Sequence, residues 1–112
     1  MSSSPDTLVV RLPIQIRSKQ KLLGILAKRL RFPRYFGGNW DALEECLRDL
    51  SWLSAKKIVL QHPALPFSQE SENREIYLAV LKSAAEFWRQ NANQPGRLTV
   101  ELPGEKQPQA NA

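Results

Sequence analysis

The chain has 112 residues, 42% of them hydrophobic, with 16 Lys and Arg against 11 Asp and Glu and a formal net charge of +5. That length suits one compact domain around a single core, and no apolar run approaches the ~20 residues a membrane-crossing helix needs. The opening Met1-Ser-Ser-Ser-Pro-Asp6 has neither a basic region nor an apolar stretch, and the single cysteine, Cys46, excludes an internal disulfide, so a reducing cytoplasm is the expected compartment.

Thr7 to Leu12 is rich in Leu and Val and is closed by Pro13, which reads as a short buried strand. Ser18 is placed to cap a helix running to about Arg31, with Leu22, Leu23, Leu26 and Leu30 at helical spacing. Gly24 weakens that helix without ending it. The densest basic group, Lys28, Arg29, Arg31 and Arg34, falls at its end, where cations suit the negative pole of the helix dipole. The same group also reads as a patch for nucleic-acid phosphates, in keeping with a pI of about 9.7.

Pro33 and Gly37-Gly38 mark a loop, and Asn39 is a good N-cap for a second helix lasting to about Leu50. With Asp41 at about 0°, Glu45 falls near about 40°, Glu44 near about 300° and Arg48 near about 340° on the helical wheel. Leu43, Cys46, Leu47 and Leu50 gather at the opposite pole. One face can therefore pack on a core while the other shows carboxylates, a local exception in a basic chain. The helix dipole alone favours such acids by about 0.3–1 kcal/mol each, so charge by itself marks no site. The neighbouring aromatics change that, because rings beside charged groups are the usual makeup of a protein interface. Phe36 is expected in the core, Tyr35 and Trp40 at the surface, and Cys46 as a buried, inert thiol.

Lys56 to Gln61 carries the unbroken run Ile58-Val59-Leu60, as expected of a strand covered on both faces. His62 to Phe67 is a proline-punctuated connection with room for one helical turn. A long helix follows from about Glu70 to Asn91, acidic in its first turn at Glu70 and Glu72. Its apolar stripe is Ile76, Tyr77, Val80, Leu81, Ala84, Phe87 and Trp88. Pro95-Gly96 ends that helix, and Arg97 to Leu102 supplies a third strand. Residues 103–112 and 1–6 lack apolar anchors and are expected as disordered tails around a domain of residues 7–102. Strands separated by helices pair in parallel through crossovers. The expected fold is a small single-domain α/β protein, a three-stranded parallel sheet packed with three to four helices, one sheet face being heavily shielded.

Catalytic chemistry is scarce. The only histidine, His62, precedes a proline in a loop, so no Ser-His-Asp or Cys-His set can be drawn, and no zinc or calcium pattern is present. Asp41 and Glu45 lie one turn apart, but paired-carboxylate sites draw acids from several elements around a pocket, whereas these line one exposed helix. Gly37-Gly38-Asn39 before a helix is a poor phosphate loop, since no Lys-Ser/Thr follows and Asp41, Glu44 and Glu45 would repel the anion. The expectation is a binding protein rather than an enzyme, with no metal and no cofactor.

The run from Phe32 to Leu47, Phe-Pro-Arg-Tyr-Phe-Gly-Gly-Asn-Trp-Asp-Ala-Leu-Glu-Glu-Cys-Leu, resembles the signature of the barstar family, whose founding member is the intracellular inhibitor of the ribonuclease barnase. The order strand, helix, loop, acidic helix, strand, helix, strand agrees with that family over roughly residues 7–102, outside the motif by pattern only. The resemblance implies that the loop and acidic helix cover a nuclease active site, with one carboxylate standing where an RNA phosphate would bind. Tyr35, Gly37, Asn39, Trp40 and Asp41 match the family's loop and first helical acid, and Glu45 stands in place of its phosphate-mimicking aspartate. The implied partner-binding set is these residues with Gly38, Glu44, Arg48 and Asp49, in a one-to-one complex between a monomer and a ribonuclease, as in toxin neutralisation or immunity.

The departures are chemical. Glu45 is one methylene longer than the family's aspartate, Glu44 replaces an aromatic residue, and Arg48 and Asp49 replace small ones. A family acid on the last helix aligns with Ser83, with Glu86 nearby as an alternative carrier of that charge. The founding member is acidic and this chain is basic, so long-range attraction to a basic nuclease is weak or reversed and only the local field of the acidic face can guide docking. The implied partner is therefore a ribonuclease whose identity the sequence leaves open, barnase included. Two other readings stand beside it: a nucleic-acid-binding module using the surface around Lys28 to Arg34, and the same fold turned to a non-nuclease protein. Trp52 is open between the contact edge and the core.

Overall fold

The computed structural model describes residues 6–34, 36–67 and 70–103. Three parallel strands, β1 (Thr7–Arg11), β2 (Lys57–Gln61) and β3 (Leu98–Glu101), lie side by side in the order β1-β2-β3. Between β1 and β2 run α1 (Lys19–Arg29) and α2 (Trp40–Leu47), and α3 (Ser71–Arg89) joins β2 to β3. Parallel neighbours need a crossover, and these helices supply it. The expected architecture is thus present with three helices, and no helical turn forms between His62 and Phe67. Most of the two expected tails, residues 1–5 and 104–112, lies outside the described residues.

Strand side chains alternate between faces. Val10, Ile58, Leu60 and Leu98 are buried against the leucines of α1 and α2 and the stripe Tyr77, Val80, Leu81, Ala84 and Trp88 of α3. The other face aligns Val9, Val59 and Thr99. Val9 is 49% exposed there, and Val59 and Thr99 are half-buried. The expectation that β2 is covered on both faces is therefore wrong. A chain this short has one helical layer to spend on burial, and the middle residue of Ile58-Val59-Leu60 faces away from it.

Two helices stop earlier than their apolar pattern. α1 ends at Arg29, where the N–H groups of Arg31 and Phe32 reach back to the carbonyls of Lys28 and Ala27. That is a Schellman closure, with Arg31 at φ 56° in the position glycine usually takes. α2 ends at Leu47, and Leu50 turns the chain at φ 53°. A left-handed non-glycine residue costs about 1 kcal/mol or more, and at Leu50 complete burial of the side chain offsets it.

One polar pair is buried in the core. His62 Nδ1 lies 3.0 Å from the Glu101 carbonyl and must donate to it, leaving Nε2 to accept the Tyr77 hydroxyl at 2.7 Å. Burial pulls the His62 pKa below its ordinary 6.5, outweighing the backbone hydrogen bonds that raise it. Burial likewise pushes the Tyr77 hydroxyl well above its usual value. The folded chain therefore holds the imidazole proton more weakly than the unfolded chain does. Its stabilising contribution is complete above about pH 6.5 and drains away as pH falls toward the lower folded value. Urea unfolding at about pH 7.5 and about pH 5.5 should show the protein less stable in acid, and His62→Gln should flatten that difference. An undiminished difference in the variant would contradict this assignment.

Candidate functional site

The acidic helix is fastened at both ends and along its inner side. At its start Asn39 is extended, and its Oδ1 accepts the N–H of Ala42 at 2.8 Å, as an N-cap should. Before it, Gly38 turns the loop at φ 72°, a conformation that strains any residue with a Cβ. Trp40 is half-buried, its ring centroid 6.1 Å from Tyr77 and 6.2 Å from Phe67, with the Lys19 ammonium 5.4 Å above it. Leu43 and Leu47 are fully buried and Cys46 nearly so. At the far end the Trp88 indole N–H donates to the Leu47 carbonyl at 2.7 Å, pairing one of the backbone acceptors that every helix C-terminus leaves over.

The carboxylates divide into two kinds. Asp41 and Glu45 are exposed, and neither makes a hydrogen bond or ion pair with any described residue. Glu44 is turned toward α3, where its Oε2 accepts the Ser83 hydroxyl at 2.6 Å and lies 3.4 Å from Arg48. Arg48 also covers the Phe87 ring at 4.9 Å. Asp49 is exposed and accepts the N–H of Ser51 at 3.3 Å. Glu86 is engaged by Arg89 and Gln90, and the Arg89 hydrogen bond holds its carboxyl below the usual range.

Between the loop and α2 lies a cleft of about 120 Å³ lined by Phe36, Ala42, Glu45, Cys46 and Asp49. Burial pushes the Cys46 thiol up, and Asp49 and Glu45 push it further, which disfavours the reactive thiolate. Phe36, expected in the core, is half-buried at its edge, its ring 4.8 Å from that of Phe32. Trp52 is also half-buried: its indole N–H donates to the Leu30 carbonyl at 2.8 Å and ties the segment after α2 to the end of α1. Gly37, Gly38 and Asn39 are exposed, and Tyr35 lies outside the described residues. Lys28, Arg29, Arg31 and Arg34 are exposed as well. The residues that sequence reading missed are the supports. Nothing in the spacing of the α3 stripe marked Trp88 as the tie to the end of α2, or Ser83 as the partner of Glu44.

Among the described residues no group of three or more His, Cys, Asp or Glu could hold a metal ion, and no helix is long and apolar enough to cross a membrane. What the arrangement can do chemically is present two carboxylates, one turn apart and without an ion-pair partner among the described residues, from a helix tied at both ends. Compared with known protein families, residues 8–102 match the family described as Barstar (barnase inhibitor). No curated protein matches the chain.

Replacing the cap should be felt in stability. Asn39→Ala is expected to cost about 1 kcal/mol in urea unfolding, and Asn39→Asp much less because it restores the acceptor. Equal losses in the two variants would show that the cap does not hold this helix start.

Proposed function

The chain belongs to the barstar family, and on that premise we propose that it inhibits a ribonuclease by laying α2 and the preceding loop across the nuclease active site. The observation that carries this reading is that Asp41 and Glu45 are exposed and unpaired among the described residues, on a helix secured by Asn39, Trp40 and Trp88. A ribonuclease must gather cationic donors to hold RNA phosphate. Carboxylates that are already desaturated of internal partners and already oriented can accept those donors in short, charge-assisted hydrogen bonds. Because the helix is fixed beforehand, little ordering cost opposes association.

Glu45 takes the phosphate position on this reading, with Asp41 beside it. Tyr35, Gly37, Gly38, Asn39 and Trp40 form the flanking contact, and Glu44, Arg48 and Asp49 form its outer edge. Glu44 is the weaker contributor of the acids, since Ser83 and Arg48 already occupy it. The net charge of +5 gives no long-range steering toward a basic target. Attraction is then confined to the reach of the acidic face, about 8 Å at physiological ionic strength. The complex is one-to-one, formed in the cytoplasm, and serves to neutralise a toxic or self-damaging nuclease.

The test begins with capture of the partner from the source cells on the immobilised chain, and the captured protein should be a ribonuclease silenced by one equivalent of the chain. Asp41→Ala and Glu45→Ala should then each weaken the complex by about 2 kcal/mol while leaving the urea midpoint in place. Glu44→Ala should cost less than either. Unchanged affinity in the Asp41→Ala/Glu45→Ala double variant would overturn the proposal.

A further inference from the structure

Three of the chain's cations converge on one place that the acidic helix does not use. Lys56, Lys57, Asn93, Gln94, Gly96 and Arg97 line a cleft of about 450 Å³ beside the starting ends of β2 and β3. Among the described residues no carboxylate lines it, and it shares no lining residue with the small cleft beside α2. Lys56 and Lys57 are exposed, and neither joins an ion pair among the described residues.

Arg97 is the unusual member, being only 5% exposed. Its Nη2 donates to the carbonyls of Leu53 at 2.9 Å and Ala55 at 3.0 Å, and its guanidinium lies 5.4 Å over the Trp88 ring. Its Nε has no acceptor among the described residues. Every contact partner is formally neutral, and Asp49 acts on it only through space, while burial pulls its pKa down. A buried cation without a counter-charge carries a desolvation cost that neutral carbonyls offset only in part. Two unpaired lysines beside it make the local deficit of negative charge larger. A cleft with this balance is short of an anion.

We infer that this cleft binds a phosphate oxyanion, the phosphate group of a nucleotide or of a single-stranded nucleic acid. Three cations suit the charge of a phosphate better than that of a single carboxylate, and Asn93 and Gln94 add amide donors. Among the described residues no aromatic side chain lines the cleft, so they offer no platform on which a base could stack. Recognition is of the phosphate and not of the base. The exposed basic group at the end of α1 has the charge but offers no buried cation and no cleft.

The experiment uses the full chain and follows the Arg97 Nε–H and Gly96 N–H resonances by NMR while inorganic phosphate, a mononucleotide and a short single-stranded RNA are titrated in turn. Saturable shifts at these two groups, lost in Lys56→Ala/Lys57→Ala but kept in the equally charged control Lys28→Ala/Arg29→Ala, support the site. In the RNA arm, deleting the two lysines should lower the slope of log affinity against log salt by about 1.4. RNA binding more than about tenfold tighter than the mononucleotide assigns the polymer as ligand, and equal binding assigns free nucleotide. Absence of saturable shifts at Arg97 and Gly96, or equal losses in the cleft variant and the control, would overturn the inference.

Discussion

The structure depends on one constraint: α2 must bury its leucine side completely while its other side stays in water. Eight residues make a helix too short to be stable alone, so its shape is imposed by what it packs on. Leu43 and Leu47 provide the burial, Trp40 meets Tyr77 and Phe67 at one end, and Trp88 takes the Leu47 carbonyl at the other. Tyr77 is in turn held by His62, which is tied to β3 through Glu101. The direction in which Asp41 and Glu45 point is thus set by contacts running from the sheet through α3 into α2. On the proposed reading, that chain of contacts is what makes the carboxylates a rigid mimic of an anionic linkage.

Much of this was legible in the residues, for identifiable reasons. Strands separated by amphipathic segments permit few topologies, and the three-stranded parallel sheet follows from that rule. Ser18 and Asn39 marked helix starts because a capping side chain has a distinct local chemistry. Helix ends were less visible, since the chain leaves α1 and α2 through left-handed Arg31 and Leu50, two and three residues past the helix ends, where no glycine gives the signal. The half-exposure of Val59 was hidden for a related reason. An Ile-Val-Leu run has the same appearance in a strand covered once or twice, and only the number of helical layers decides. At the site, the helical wheel correctly separated carboxylates from leucines but could not tell Glu44 from Asp41 and Glu45. That distinction comes from Ser83, 39 positions away in sequence, and no local pattern encodes a contact of that range.

The charge distribution also gains a physical form. A basic chain with an acidic helix looks contradictory when only the net value of +5 is considered. In space the cations around Arg97 gather at the sheet's starting ends, in a cleft that shares no lining residue with the one beside α2. Net charge therefore speaks to solubility and encounter rates, and the local field to recognition.

On the proposed reading, outward charge on a fixed helix, rather than its shape, does the inhibiting. The most direct measurement is the inhibition constant of the partner ribonuclease with the isosteric double variant Asp41→Asn/Glu45→Gln, which keeps size and helix packing and removes only charge. Loss of two charge-assisted hydrogen bonds at about 2 kcal/mol each should raise that constant by roughly three orders of magnitude. A double variant that inhibits as tightly as the parent chain would contradict the account.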